Sequence, residues 1–188
     1  WRAEYYSDNN LGAKCYDTSF GDTYVFGDWQ ADAPASGCPS DYFSGRFSRV
    51  VHFPGGSYTF GLGYDDGARI KIDGQTVVDG WSSSTQHYET QSLSGYHYVV
   101  VEHYENAGDA YLSAFWWGPG YDLPRESQDS SQWYAQYWGN RALWWDPVVK
   151  VNEGQGTLDH SWGSGGPGYN LPSDRFSSRF ERTVSFDC

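Results

Sequence analysis

Residues 39–53 read PSDYFSGRFSRVVHF, and residues 172–186 read PSDRFSSRFERTVSF. Ten of these fifteen aligned positions are identical. The agreement extends outward, since WRAEYY at 1–6 is echoed by WYAQYW at 133–138 and Trp29 by Trp162. The offset is 132 at the start and 133 afterwards, so the second copy gains one residue. Identity at both ends of a stretch, at a nearly constant offset, marks an internal repeat. The first copy runs on through strand-rich sequence to Trp117, whereas the second is followed only by Asp187 and Cys188.

Composition narrows the fold class. A chain of 188 residues that is 19% aromatic, with 23 Gly and no Met, favours all-β structure with ring-filled cores. Twelve Lys+Arg against 24 Asp+Glu give a formal charge of −12. Such a surface repels phosphate backbones and anionic lipid, so nucleic-acid and membrane-surface partners are not expected. No apolar run approaches the length needed to cross a bilayer. The chain begins at Trp1 without an initiator Met, which reads as a processed or trimmed N-terminus. Three Cys suggest an oxidising compartment. Cys15 and Cys38 lie within the first copy and can pair, leaving Cys188 as the odd thiol.

Strand signals fill residues 1–117. Candidates are residues 3–6, then 46–53 closed by Pro54-Gly55-Gly56, then 58–62, 68–72, 75–78, 96–104 and 111–117. Asp73-Gly74 is a two-residue hairpin signal, because both turn positions need positive φ. Ile70 and Ile72 point to one face and Arg69 and Lys71 to the other, as period two requires. No helical apolar period is sustained, and turns recur every eight to twelve residues or so, as in a sandwich or barrel. The polar SQDSSQ at 127–132 reads as a linker. The expected organisation is a complete module over 1–125, a linker over 126–132 and the first part of a second module over 133–188.

Several motifs occur in a telling order: Trp1-x-Ala3-x-Tyr5-Tyr6, Asp41-x-Phe43-Ser44-x-Arg46, Pro54-Gly-Gly-x-Tyr58-x-Phe60, and Asp65-Asp66-Gly67-x-Arg69-x-x-Ile72-Asp73-Gly74. Val78-x-x-Trp81 and Val101-Glu102-x-Tyr104-Glu105-Asn106-x-Gly108-x-Ala110 complete the run. The chain resembles the PA14 domain family, named after the N-terminal fragment of anthrax protective antigen, fully over 1–117 and in N-terminal part over 133–188. The resemblance implies an antiparallel, jelly-roll-like β-sandwich in a secreted or cell-surface setting. It implies no single activity, since one sandwich carries many.

In adhesins of this family, adjacent aspartates on one loop and an asparagine on another hold a calcium that binds sugar hydroxyls. By resemblance Asp65 and Asp66 match the aspartate pair, Asn106 lies in the second loop, and Asp109 is a further candidate ligand. Ca²⁺ takes six to eight or so oxygen ligands, and a sugar diol supplies two. The competing reading is that Asp65 and Asp66 shape the tight turn before Ala68. Trp81, followed by serines, is the candidate stacking residue; Trp116, Trp117, Trp144 and Trp145 read as core or interface. His97 and His103 stand too far apart along one strand for a metal pair. No nucleophile-elbow, zincin or phosphate-loop motif occurs, and Glu102 and Glu105 lack a visible partner across a cleft, so catalysis is not expected.

A half module would leave strand edges open and an apolar face bare. The chain therefore reads as a piece of a longer tandem protein, as a half module packed on the first, or as one completed by a neighbouring subunit. In the last case the contact runs head to tail, building a filament that Cys188 could lock through an intermolecular disulfide. The expected function is secreted, non-catalytic adhesion or extracellular assembly, with calcium-dependent carbohydrate binding. The alternative is a structural filament subunit.

Overall fold

The computed structural model describes residues 1–188 except 22, 23, 83–86, 123, 140, 144–146, 170, 172, 174, 175, 187 and 188. Cys188, Trp144 and Trp145 therefore lie outside the described residues. The chain divides into two compact units, Trp1–Asp122 and Leu123–Cys188. No helix is long and apolar enough to cross a membrane among the described residues.

The first unit contains β1 (Arg2–Tyr6), β2 (Lys14–Ser19), β3 (Val25–Gln30), β4 (Phe43–Asp65), β5 (Gly67–Ile72), β6 (Gln75–Gly80), β7 (Tyr88–Glu105) and β8 (Ala110–Trp117). All pairings are antiparallel. One layer runs β2-β1-β4-β7-β5-β6. The other is built from the far halves of β4 and β7 with β8 and β3. The long strands β4 and β7 thus serve both layers.

The crossing point lies at Pro54-Gly55-Gly56, which does not close the strand as expected. Here the β4–β7 register shifts between Phe53 and Gly56, so the chain bends without leaving the sheet. Gly55 and Gly56 sit at φ 110° and 135°, where a side chain would be strained. A Cβ on Gly56 would also come within 2.7 Å of Pro119. At the other turn, Asp73 and Gly74 have φ 49° and 84° and join Ile72 to Gln75, as the hairpin signal requires.

Alternation sets the core. Phe47, Phe53, Phe60, Ile70, Val99, Val101, Leu112 and Trp116 are buried between the layers. Phe53 is enclosed by Tyr58 at 4.8 Å and by Phe60, Trp116 and Tyr121 at 5.9 Å between ring centroids. Burying one such ring stabilises by roughly 1.5–3 kcal/mol, so the aromatic content does the work that Leu and Ile do elsewhere. Cys15 and Cys38 form a disulfide with Cα atoms 5.4 Å apart.

The second unit repeats the β2-β1-β4 portion of the first. Its sheet, β10-β9-β11, comprises β9 (Tyr134–Trp138), β10 (Val149–Asn152) and β11 (Ser177–Glu181). Ala135 faces Phe180 and Gln136 faces Arg179, as Ala3 faces Phe47 and Glu4 faces Arg46. Gln136 faces Lys150 as Glu4 faces Asp17. The rings repeat too. Tyr5 meets Trp29 at 6.1 Å and Phe47 at 5.7 Å, while Tyr137 meets Trp162 at 6.5 Å and Phe180 at 5.8 Å. At the positions equivalent to Cys15 and Cys38 stand Val148 and Leu171.

The expected linker is corrected by these contacts. Arg125 bridges to Lys150, Glu126 N–H donates to Lys150 O, and Asp129 N–H donates to the Asn152 side chain. Asn152 in turn donates to Glu126 and to Ser127 O. Polar side chains suit a loop that lies along an edge strand as well as they suit a spacer, so composition alone could not tell them apart.

Candidate functional site

Both ends of β4 arrive at one pole of the first unit, because Phe43 pairs with Glu105 and Asp65 with Tyr111. Residues 7–13, 41–42, 65–67 and 106–109 meet there. Asn9 donates to the Asn106 side-chain carbonyl at 2.9 Å, Tyr42 N–H to Asn106 O at 3.1 Å, and Gly108 N–H to Asp41 Oδ1 at 3.1 Å. The Asp65–Asp66 peptide is cis. Asp66 Oδ2 accepts from Asn106 N–H at 2.7 Å, tying the β4–β5 corner to the loop after β7. The Asp66 carboxylate thus bonds across the pole. Gly67 is required beside it, since a Cβ there would come within 2.3 Å of the Tyr104 ring.

Asp65, Asp66 and Glu105 each present an oxygen, and these lie within 4.8 Å of one another. Asp65 is half-buried, Asp66 exposed and Glu105 fully buried. Neither Glu105 oxygen has a well-formed hydrogen bond. Burial, then the carboxylates of Asp66, Asp65 and Asp41, raise its pKa from 4.5 to about 8, against a weaker pull from the Ala107 amide. Burial, then Asp66 and Asp109, also raise Asp65. A buried carboxylate without a well-formed hydrogen bond, facing two more carboxylates, is costly unless a proton or cation neutralises it.

The donor set fits a hard divalent cation. Oxygens opposed across Ca²⁺ stand up to roughly 5 Å apart, from bond lengths of about 2.3–2.6 Å, which accommodates the observed spacing. Asp65 and Asp66, singled out in the sequence, come together here. Asn106 is adjacent, but its side chain engages Asn9 and its backbone amide meets Asp66. Asp109 is exposed beside Asp65. The member of the carboxylate cluster that sequence reasoning missed is Glu105. Its signal was parity: Val99, Val101, His103 and Glu105 share the inward face of β7, which leaves a carboxylate in a row of buried side chains.

Trp81, the candidate stacking residue, is half-buried. The Arg69 guanidinium lies 4.2 Å from its ring centroid and Tyr104 meets it edge-on at 4.8 Å. Tyr104 O accepts from Asp66 N–H, so Trp81 stands one ring away from the carboxylate cluster. Glu102, on the outer face of β7, is not an acid facing a partner across a cleft. It is buried beneath Arg46 at 2.9 Å, Arg69 at 2.6 Å and Lys71 at 2.9 Å. Burial pushes its pKa up, and the three cations outweigh this and hold it below the usual range. His97 binds Asp73, and His103 is buried against Asp65 O, so neither forms a metal pair with the other.

A curated relative, the anti-sigma-I factor RsgI3 of Acetivibrio thermocellus, is 25% identical over 197 residues. The match takes in 95% of this chain and 30% of that protein, so the chain spans under a third of the relative's length. A solved anti-sigma factor domain-containing protein from Clostridium clariflavum shares the fold with a TM-score of 0.56 at 19% identity, over 95% of this chain and 67% of that one. Another solved anti-sigma factor domain-containing protein gives a TM-score of 0.56 at 23% identity, over 81% and 58%. The PA14 domain itself is matched over residues 2–126, in step with the motifs and the two-layer sandwich, and the chain belongs to the PA14 domain family.

Proposed function

We propose that the first unit is a non-catalytic, extracellular recognition module that binds a divalent cation, calcium, at Asp65, Asp66 and Glu105, and through it the hydroxyls of a carbohydrate. The observation that carries this reading is Glu105, a fully buried carboxylate with no well-formed hydrogen bond, facing two aspartates within 4.8 Å. Three carboxylates leave coordination positions of Ca²⁺ for carbonyls, water or a sugar diol. Asp66 is exposed, so a ligand approaching from solvent meets the cation side of the cluster. The disulfide supports an oxidising setting. Calorimetric titration with calcium tests the site: heat that vanishes in Asp66→Ala and in Glu105→Gln is expected, and no heat with the native chain refutes it. Glycan arrays with and without chelator test the carbohydrate step.

A second reading is supported by the matches to anti-sigma factors, which run through both units. In it, the chain is the ligand-recognising part of a longer regulatory protein. The flanking reading frame decides: a sigma-binding segment supports this reading, and a cell-wall attachment signal supports adhesion.

A further inference from the structure

Away from the carboxylate cluster, one layer of the first unit is incomplete. β1 pairs with β4 from Ser44 to Ser48, and beyond Ser48 the β4 strand keeps only β7 beside it in this layer, among the described residues. A cavity of about 440 Å³ opens there, with Arg49, Val51, His52, Tyr96, Trp116 and Tyr121 in its wall. Small-ligand sites span roughly 300–1,000 Å³. Phe43, at the pole, and His52 lie on the same run of β4, roughly 30 Å apart at about 3.3 Å per residue. Three features of the wall point to a ligand. Trp116 is 2% exposed, yet its indole N–H has no hydrogen-bond partner among the described residues, and a buried donor without an acceptor is costly. Arg49 has the parity of Phe47, Val51 and Phe53, which are buried between the layers, yet it is exposed, so a cation holds what would be a core position. Tyr96 is 77% exposed and meets the His52 ring at 4.7 Å across the β4–β7 ladder, leaving an aromatic face open at the mouth.

We propose that this cavity is a second carbohydrate subsite, independent of any cation, that takes one pyranose unit of a glycan. The apolar C–H face of the sugar ring stacks on Tyr96, and oxygens around its edge accept from the Trp116 indole N–H and the Arg49 guanidinium. No carboxylate lines the cavity among the described residues, although the chain carries a formal charge of −12, so the wall offers donors to a ligand rich in acceptors. A pyranose supplies both halves of that chemistry. A lipid tail would leave the indole N–H unmet, and a bare anion would leave the open tyrosine ring unused. The inference takes its ligand class from the reading of this unit as a carbohydrate-recognition module, and it takes neither its site nor its cation dependence from it.

The test uses the intact chain in EDTA, displayed as a streptavidin tetramer on an array of neutral and acidic glycans. Binding to at least one glycan is expected, weakened about tenfold or more by Tyr96→Ala, an exposed position whose loss leaves the core as it is. Titration of the bound glycan should shift the assigned Trp116 indole N–H resonance saturably in proton–nitrogen NMR spectra, a readout that needs no substitution in the core. Arg49→Gln should weaken the same titration several-fold. No glycan bound in EDTA, binding indifferent to Tyr96→Ala, or an unmoved Trp116 resonance overturns the proposal. Binding seen only when calcium replaces EDTA assigns the sugar to the carboxylate cluster alone, which overturns this subsite and leaves the calcium reading standing. Binding in EDTA by a chain that gives no heat with calcium does the reverse.

Discussion

Replacing Glu105 by glutamine keeps the shape and removes the charge. With its pKa raised from 4.5 to about 8, the folded protein resists ionising a group that the unfolded chain ionises freely. The sign follows from linkage: such a group favours the fold below the unfolded pKa, and that contribution is lost as pH rises towards the folded one. At up to about 1.4 kcal/mol per pH unit, reduced by solvent screening, the cation-free chain should lose about 1–3 kcal/mol between about pH 4.5 and 7 from this group. Glu105→Gln should flatten that slope by a similar amount, although the buried amide keeps its own desolvation cost of about 1–3 kcal/mol. Urea unfolding of both proteins in chelator, at about pH 5 and 7, measures the difference of differences. Calcium should then stabilise the native chain, by about 2.7 kcal/mol at a hundredfold excess over Kd, and leave the variant unmoved. Equal pH slopes in the two proteins would refute the assignment of Glu105 as an ionisable, cation-seeking ligand.

Other perturbations separate the parts. Gly67→Ala drives a methyl into the Tyr104 ring at 2.3 Å and should cost about 1–3 kcal/mol in thermal or urea unfolding, weakening calcium binding as the corner shifts. Glu102→Gln leaves Arg46, Arg69 and Lys71 crowded over a neutral group and should destabilise by about 3 kcal/mol. Because its folded pKa is lowered, native Glu102 contributes above the ordinary carboxylate range and that contribution fades on acidification, so the variant should unfold with a shallower acid limb. Cys15→Ser with Cys38→Ser opens a loop with a sequence separation of 23 and should cost about 3 kcal/mol in chemical denaturation.

Much of this architecture was legible in residue order. The repeat predicted a shared local structure, and the pairing of Ala135 with Phe180, like that of Ala3 with Phe47, reproduces it to the residue. Period two and turn chemistry located β1, β5, β6 and β8. β2 and β3 escaped notice, β2 for a physical reason: KCYDTS lies at the sheet margin with little burial, so it carries no apolar alternation to read. Pro54-Gly55-Gly56 looked like a terminator because its residues break most strands, and only the two-layer packing shows it as a bend. The aspartate pair was visible as a motif. Glu105 was visible as a letter but not as a ligand, since its partners lie some forty positions away and are brought near only by the pairing of β4 with β7.

One feature of the repeat reaches beyond stability. The positions covalently stapled as Cys15–Cys38 in one half are occupied by Val148 and Leu171 in the other. A thiol reductant therefore addresses one half of the molecule and has no corresponding bond to break in its twin. A change of redox environment is therefore expected to act asymmetrically, loosening the half that carries the Asp65, Asp66 and Glu105 cluster and sparing its echo.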